Sequence, residues 1–194
     1  MHLRRVDPVL ARVMDEVGAY RPADGTGGSH FGALVRSIVY QQLSGKAAGT
    51  IHGRLCALFP DGVPTAEGFL SLDDPALRAA GLSRQKIGYL RDLSDKVRSG
   101  ALPLDHVDTL DDDALIEHLV QVKGIGRWTA QMFLMFKLGR ANVLPELDLG
   151  IQNAIRRAYR KRAVKPKDVA RIGAKWSPYA SVACWYLWRS LDNR

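Results

Sequence analysis

Two short stretches carry residues whose types and spacing could do chemistry. In VKGIGRWTAQ, Val122 to Gln131, two glycines flank one apolar residue inside a sequence that otherwise reads as helix. Glycine costs about 1 kcal/mol against alanine in a helix interior, so the pair marks the end of one helix and the start of another. Such a hairpin aims the backbone N–H groups of its second helix outward, where the helix dipole also favours an anion. Gly124 and Gly126 would let a phosphate come close to the backbone; a plain helix junction would use the same residues. In VLPELDLGIQNAI, Asp148 lies just after Pro145 at the start of a helical pattern, where the dipole favours its ionised form. A carboxylate so placed can cap the helix, or it can stabilise a developing positive charge and position or activate a water. Spacing alone favours the cap. Leu147 and Leu149 flank it and predict a partly enclosed setting, and Glu146 is a weaker neighbouring candidate.

The remaining reactive side chains narrow the chemistry. Cys56 and Cys184 are far apart among apolar neighbours, the pattern of reduced, packed thiols rather than of a disulfide framework. His2, His30, His52, His106 and His118 show no metal-ligand spacing, and two cysteines cannot make a four-cysteine set. Neither a zinc site nor an iron–sulfur cluster is expected. Lys plus Arg outnumber Asp plus Glu by 28 to 20, a formal net charge of +8 in 194 residues. A polyanion partner fits that balance without being required by it. No window approaches the 18 or more apolar residues of a membrane span, so a soluble, intracellular protein is expected.

The elements that must position these residues read as helices throughout. DDDALIEHLVQV places Leu115, Leu119 and Val122 at helical spacing behind an acidic first turn, and WTAQMFLMFKL beyond the glycines is apolar almost all round, the pattern of a buried helix. Upstream, a short helix is expected at Pro8 to Val17, then a Pro- and Gly-rich loop at RPADGTGGSH, then FGALVRSIVYQQLS and GKAAGTIHGRLCALF with Ser44 as cap between them. Short helices follow in AEGFLSL and DDPALRAAG, the second ended by Gly81, and Ser83 caps RQKIGYLRDLSDKVRSG. After the connector GRANVLPELD come LGIQNAIRRAYRK, KPKDVARIGAKW and SPYASVACWYLWRSL, the last with Ser177 and Pro178 in the order of an N-cap and first helical position. No β-branched run alternates over strand length. The fold class expected is all-α, with about ten helices.

LVQVKGIGRWTA resembles the helix-hairpin-helix motif of the DNA glycosylase superfamily, and VLPELDLGIQNAI resembles the segment that carries that family's catalytic aspartate. LVRSIVYQQLS, GLSRQKIGYLRDLS and WSPYASVACWYLWR resemble further family segments, in the family's order, over roughly Phe31 to Leu191. Within the superfamily the resemblance is to the 3-methyladenine DNA glycosylase II branch. It implies two helical lobes around a DNA-binding cleft, residues 1–30 with 139–194 in one and 31–138, ending in the hairpin, in the other. Longer bacterial relatives carry an N-terminal β-rich domain, which the resemblance does not lead one to expect in these 194 residues.

The resemblance assigns roles residue by residue. Asp148 becomes the catalytic carboxylate. Trp128 stands where bifunctional relatives carry a Schiff-base lysine, which implies a monofunctional hydrolase without strand-nicking activity. Trp128, with Tyr40, would line the base pocket, its indole suited to a positively charged methylpurine. Gln42, beside Gln41 and Leu43, occupies the position that fills the gap left by a flipped base, although the two amides could equally cap a helix end. Gly124, Gly126, Lys123, Arg127 and Thr129 would meet a DNA phosphate. The backbone carbonyls of Val120, Val122 and Ile125 match positions that hold a DNA-bridging cation, monovalent or similar, and no other cofactor is implied. Tyr40 and Ala180 depart from the smaller residue and the arginine common in relatives. The implied partner is double-stranded DNA with damaged bases, met by a monomer in the cytoplasm with the chromosomal DNA. A glycosylase for another damaged or mismatched base, and a non-catalytic helix-hairpin-helix DNA-binding protein, are the alternatives.

Overall fold

The computed structural model describes residues 2–21 and 28–192, and among them there is no strand. The loop expected at residues 21–30 lies, for 22–27, outside the described residues. Twelve α-helices follow one another among the described residues. Two compact units divide them, one of residues 28–133 and the other of 2–21 with 134–192.

The continuous unit holds α3 (His30–Tyr40), α4 (Gly45–Cys56), α5 (Ala66–Ser71), α6 (Asp74–Ala79), α7 (Arg84–Arg98), α8 (Asp112–Val120) and the first two turns of α9 (Arg127–Phe136). Its helices begin where short polar side chains can accept the first free N–H groups: Ser29, Ser44, Thr65, Asp73, Ser83 and Asp111 each cap one. Their apolar faces meet in a core that includes Leu34, Ile38, Leu55, Phe69, Leu90, Leu93, Leu115 and Leu119. The buried face of α7 packs against α3, α5 and α6.

In the other unit α1 (His2–Val6) and α2 (Pro8–Val17) join the end of α9, α10 (Leu149–Ala158), α11 (Pro166–Gly173) and α12 (Ala180–Asp192). α10, α12 and α2 pack on one another around Leu10, Ile151, Ile155, Ala183 and Leu187. Asp7 is fully buried there. It accepts from the N–H groups of Val9 and Leu10, from Trp176 Nε1 at 2.8 Å and from the Tyr159 hydroxyl, and pairs with Lys175 Nζ at 3.1 Å. Burial opposes its charge, but these bonds together hold the carboxyl below the usual range.

Two sequence expectations need correction. α1 was not expected before Pro8; Asp7, capping α2, separates the two helices. α12 starts at Ala180, not Pro178. Tyr179 N–H donates to the Trp176 carbonyl and closes a turn there, and the connector supplies the new helix end: Asn142 Oδ1 accepts from Ala180 N–H and the Ala141 carbonyl from Ser181 N–H.

Candidate DNA glycosylase site

The hairpin is built by α7 as much as by its own helices. α8 ends at Val120, and three successive tight bonds turn the chain: Gln121 N–H to His118, Val122 N–H to Leu119 and Ile125 N–H to Val122. Asp92, on α7, receives Lys123 N–H at 2.9 Å and Lys96 Nζ at 2.9 Å. Burial would raise its carboxyl, yet these donors hold it below the ordinary carboxylate range. The Gln41 amide, just past α3, donates to the Gly124 carbonyl at 2.8 Å, and Lys86 Nζ in turn binds the carbonyls of Val39 and Gln41. The hairpin is thus pinned at Lys123 and at Gly124.

Its two glycines do different work. Gly124 has φ +82°, and a Cβ on it would fall 2.2 Å from the Tyr89 ring, so the fold itself excludes any side chain. A Cβ on Gly126 would meet nothing within 4 Å. No neighbour in this chain accounts for the missing side chain there, which leaves the backbone at the start of α9 open to an approaching ligand.

Around the hairpin, Trp128 is 43% exposed in the first turn of α9 and is not a core residue. Lys123 is exposed, its Nζ 3.8 Å from Asp92, and Arg127 lies 4.0 Å from the exposed Asp113, a pair worth little in water. Thr129 is buried, so a phosphate would meet its backbone rather than its hydroxyl. Gln42 is exposed with φ +57°, a conformation that side chains rarely adopt, and Leu43 beside it is also exposed. Tyr40 packs elsewhere on α3 and α4: the Arg36 guanidinium lies 4.0 Å over its ring and His52 meets it edge-on at 6.2 Å. Val120 ends α8, Val122 lies in the turn with its carbonyl accepting Ile125 N–H, and Ile125 comes shortly before α9; backbone carbonyls of such a turn are oxygen donors of the kind a hard cation takes.

Asp148 belongs to the other unit. It is the N-cap of α10, and its Oδ1 accepts Ile151 N–H at 2.7 Å. The same oxygen accepts Trp188 Nε1, from α12, at 2.9 Å. Capping and chemistry are therefore not alternatives: the cap bonds orient the carboxylate. Gly150 makes the second bond possible, because a Cβ there would lie 3.0 Å from Asp148 Oδ1 and from Trp188 Cδ1. Leu147 and Leu149 do not enclose it as expected; they are 50% and 73% exposed, since the chain turns into the helix with both flanking side chains outward. Enclosure comes from Trp188, whose ring leans on Phe136 at 5.8 Å between centroids. Trp188 and Trp185 line a cavity of about 390 Å³ with Tyr20, Phe136, Lys137 and Arg140. Burial, with the nearby Asp148 charge, pushes the Cys184 thiol far up and keeps it protonated.

The aromatic residues of the C-terminal segment do not all join the core. Trp176 is fully buried, but Tyr179 is 45% exposed and Trp188 is a partner of Asp148. The only available signal was the placement of Trp188 one helical turn beyond Cys184 on the face that packs against α10. Asp92, Lys86 and Tyr89, which brace the hairpin, were missed because their partners lie 31 to 47 positions away in sequence. Among the described residues no three His, Cys, Asp or Glu side chains cluster as metal ligands.

DNA-3-methyladenine glycosylase 1 of Schizosaccharomyces pombe is 35% identical over 194 residues, covering 98% of this chain and 85% of that protein. The structure of the 3-methyladenine DNA glycosylase of that organism in complex with abasic DNA superposes with a TM-score of 0.86, covering 97% of this chain and 93% of that one. A DNA-3-methyladenine glycosidase of Bacillus halodurans, 37% identical, superposes with a TM-score of 0.90 over 99% and 88% of the two chains. Residues 35–178 match the HhH-GPD superfamily base excision DNA repair proteins, and the chain belongs to that family.

Proposed function

We propose that this protein is a monofunctional DNA glycosylase, which hydrolyses the N-glycosidic bond of alkylated purines of the 3-methyladenine and 7-methylguanine type and leaves an abasic site. The observation that carries the reading is Asp148: a carboxylate fixed at a helix N-terminus by Ile151 N–H and Trp188 N–H, in a chain whose relatives are named for this reaction.

As the bond to the base lengthens, positive charge develops on the deoxyribose. An ionised carboxylate stabilises that charge and orients the attacking water, and the α10 dipole favours the ionised form. A methylated purine carries ring charge that already weakens the bond, so little acid catalysis of the departing base is needed. Trp128 stacks on that cationic ring. Being an indole, it offers no amine for a Schiff base, so water adds at C1′ of the sugar, the base departs with the bonding electrons and takes up a proton, and the strand stays intact. Tyr40 is the lesser pocket candidate, held by Arg36 and His52.

Gln42 and Leu43 are the wedge, with Gln41 as the strut that fixes them to the hairpin. A DNA phosphate lies against Gly126 and the N–H groups of the first turn of α9, with Lys123, Arg127 and the Thr129 backbone beside it and Gly124 shaping the turn. A cation on the Val120, Val122 and Ile125 carbonyls would neutralise a phosphate next to them. Double-stranded DNA is the partner, met by one copy of the chain with the chromosome in the cytoplasm; among the described residues no helix is long and apolar enough to cross a membrane.

The test is chromatographic analysis of bases released from duplex DNA treated with a methylating agent. Release of methylpurines, with strand breaks only after alkali, is expected. Binding without release would favour another lesion or a non-catalytic binder, and breaks without alkali would remove the monofunctional assignment.

A further inference from the structure

At the end of α10 opposite Asp148, about 15 Å along the helix from it, the sequence RRAYRKR, Arg156 to Arg162, carries five basic residues and no acidic one. Arg157 and Arg160 from this run, with Arg12 of α2, line a cavity of about 250 Å³ whose single acidic residue is Glu16. Arg157 Nη1 donates to the Ser190 carbonyl at 3.2 Å. The guanidiniums of Arg12 and Arg160 have neither hydrogen bond nor ion pair among the described residues, and Glu16 pairs with none of the three.

Basic residues in a last helical turn complement the dipole, and that suffices for Arg156 and Arg157. It does not account for Arg12, on another helix, nor for Arg160, which lies beyond the helix end. Arg160 has φ +51°, the left-handed turn that closes α10 with Lys161 N–H on the Arg156 carbonyl at 2.9 Å, and it lines the same cavity as Arg12 and Arg157. Three guanidinium-bearing side chains on one cavity, two of them without a partner among the described residues, are a site for an anion.

We propose that Arg12, Arg157 and Arg160 form a second phosphate-binding site, which takes the backbone of DNA away from the segment engaged at Asp148. This rests on the glycosylase reading for the choice of DNA as the anion. Guanidiniums match phosphate oxygens in geometry and charge, and each phosphate neutralised releases counterions, so the site enters affinity through its salt dependence.

The experiment compares the full chain with the double variant Arg12→Ala/Arg160→Gly, leaving Arg157 in place because it bonds Ser190. Affinity for an undamaged duplex of about 30 base pairs is measured across a salt series, beside thermal unfolding and single-turnover base release at saturating enzyme. The slope of log K against log salt should fall by about 2 and affinity at low salt by about tenfold or more. The unfolding temperature should hold or rise, because glycine relieves the Arg160 backbone, and saturated base release should not change. Wild-type affinity and slope in a folded double variant would overturn the site, as would an equal loss of saturated base release, which would place these residues in the catalytic machinery. If the wild type releases no methylpurine, the glycosylase reading fails while the salt comparison still decides the site.

Discussion

Asp148 accepts from two donors on one oxygen, and its neighbour Trp188 is where a substitution is most informative. Trp188→Phe keeps an aromatic ring toward Phe136, gives up part of the indole's volume and removes the N–H that reaches Asp148 Oδ1. A hydrogen bond to a charged group contributes about 1.5–3 kcal/mol, so single-turnover base release should fall about tenfold or more. DNA affinity should hold, which separates loss of positioning from loss of binding. An unchanged rate would show that the Trp188 N–H does not orient the carboxylate for the reaction. Gly150→Ala should act in the same direction, since its Cβ would crowd both partners of that bond.

Between elements, the two hairpin glycines separate stability from function. Gly124→Ala puts a methyl into the Tyr89 ring at a left-handed φ and should cost roughly 2–4 kcal/mol, read as a lowered midpoint in chemical denaturation. Gly126→Ala meets open space and should leave that midpoint nearly unchanged while weakening duplex binding severalfold. Equal destabilisation by both would contradict this division. The hairpin itself was legible from its GIG spacing, as were the caps at Ser44 and Ser83, because these are local: the cap residue and its N–H partner are three positions apart; Asp111, read as part of the first turn of α8, is its cap. What sequence could not give were the bonds from Asp92, Gln41 and Lys86, and the pairing of Trp188 with Asp148. Each joins helices distant in the chain, and side-chain type alone does not say which distant atom a donor will find. The start of α12 was misread for the same reason: Asn142 and Ala141, from a remote connector, supply the partners that a local N-cap would have supplied.

For the molecule as a whole, the buried Asp7 cluster contributes a response to pH at both extremes. The Asp7 carboxyl is held below its ordinary value of 3.8, so its contribution is complete above about pH 4 and is lost as pH falls through the lower folded value. Tyr159, its donor, is raised above 10.0 by burial and by Asp7; its contribution is present below pH 10 and is lost as pH climbs beyond it. The contribution of this cluster should therefore be level between these limits and fall at both ends. Asp7→Ala, which strands Trp176 and Lys175, should cost on the order of 3 kcal/mol at neutral pH and flatten the acid limb. Denaturation midpoints across pH for both proteins check this, and an acid limb unchanged by the substitution would place the sensitivity elsewhere. The most direct measurement of the whole reading is single-turnover release of methylpurine by Asp148→Asn at enzyme concentrations that saturate the methylated duplex. Asparagine is as good a helix N-cap as aspartate and keeps an oxygen for Trp188, so fold and DNA binding should persist while release falls by a hundredfold or more, about 2.7 kcal/mol. Release at the wild-type rate from a folded, DNA-bound Asp148→Asn would contradict Asp148 as the catalytic carboxylate.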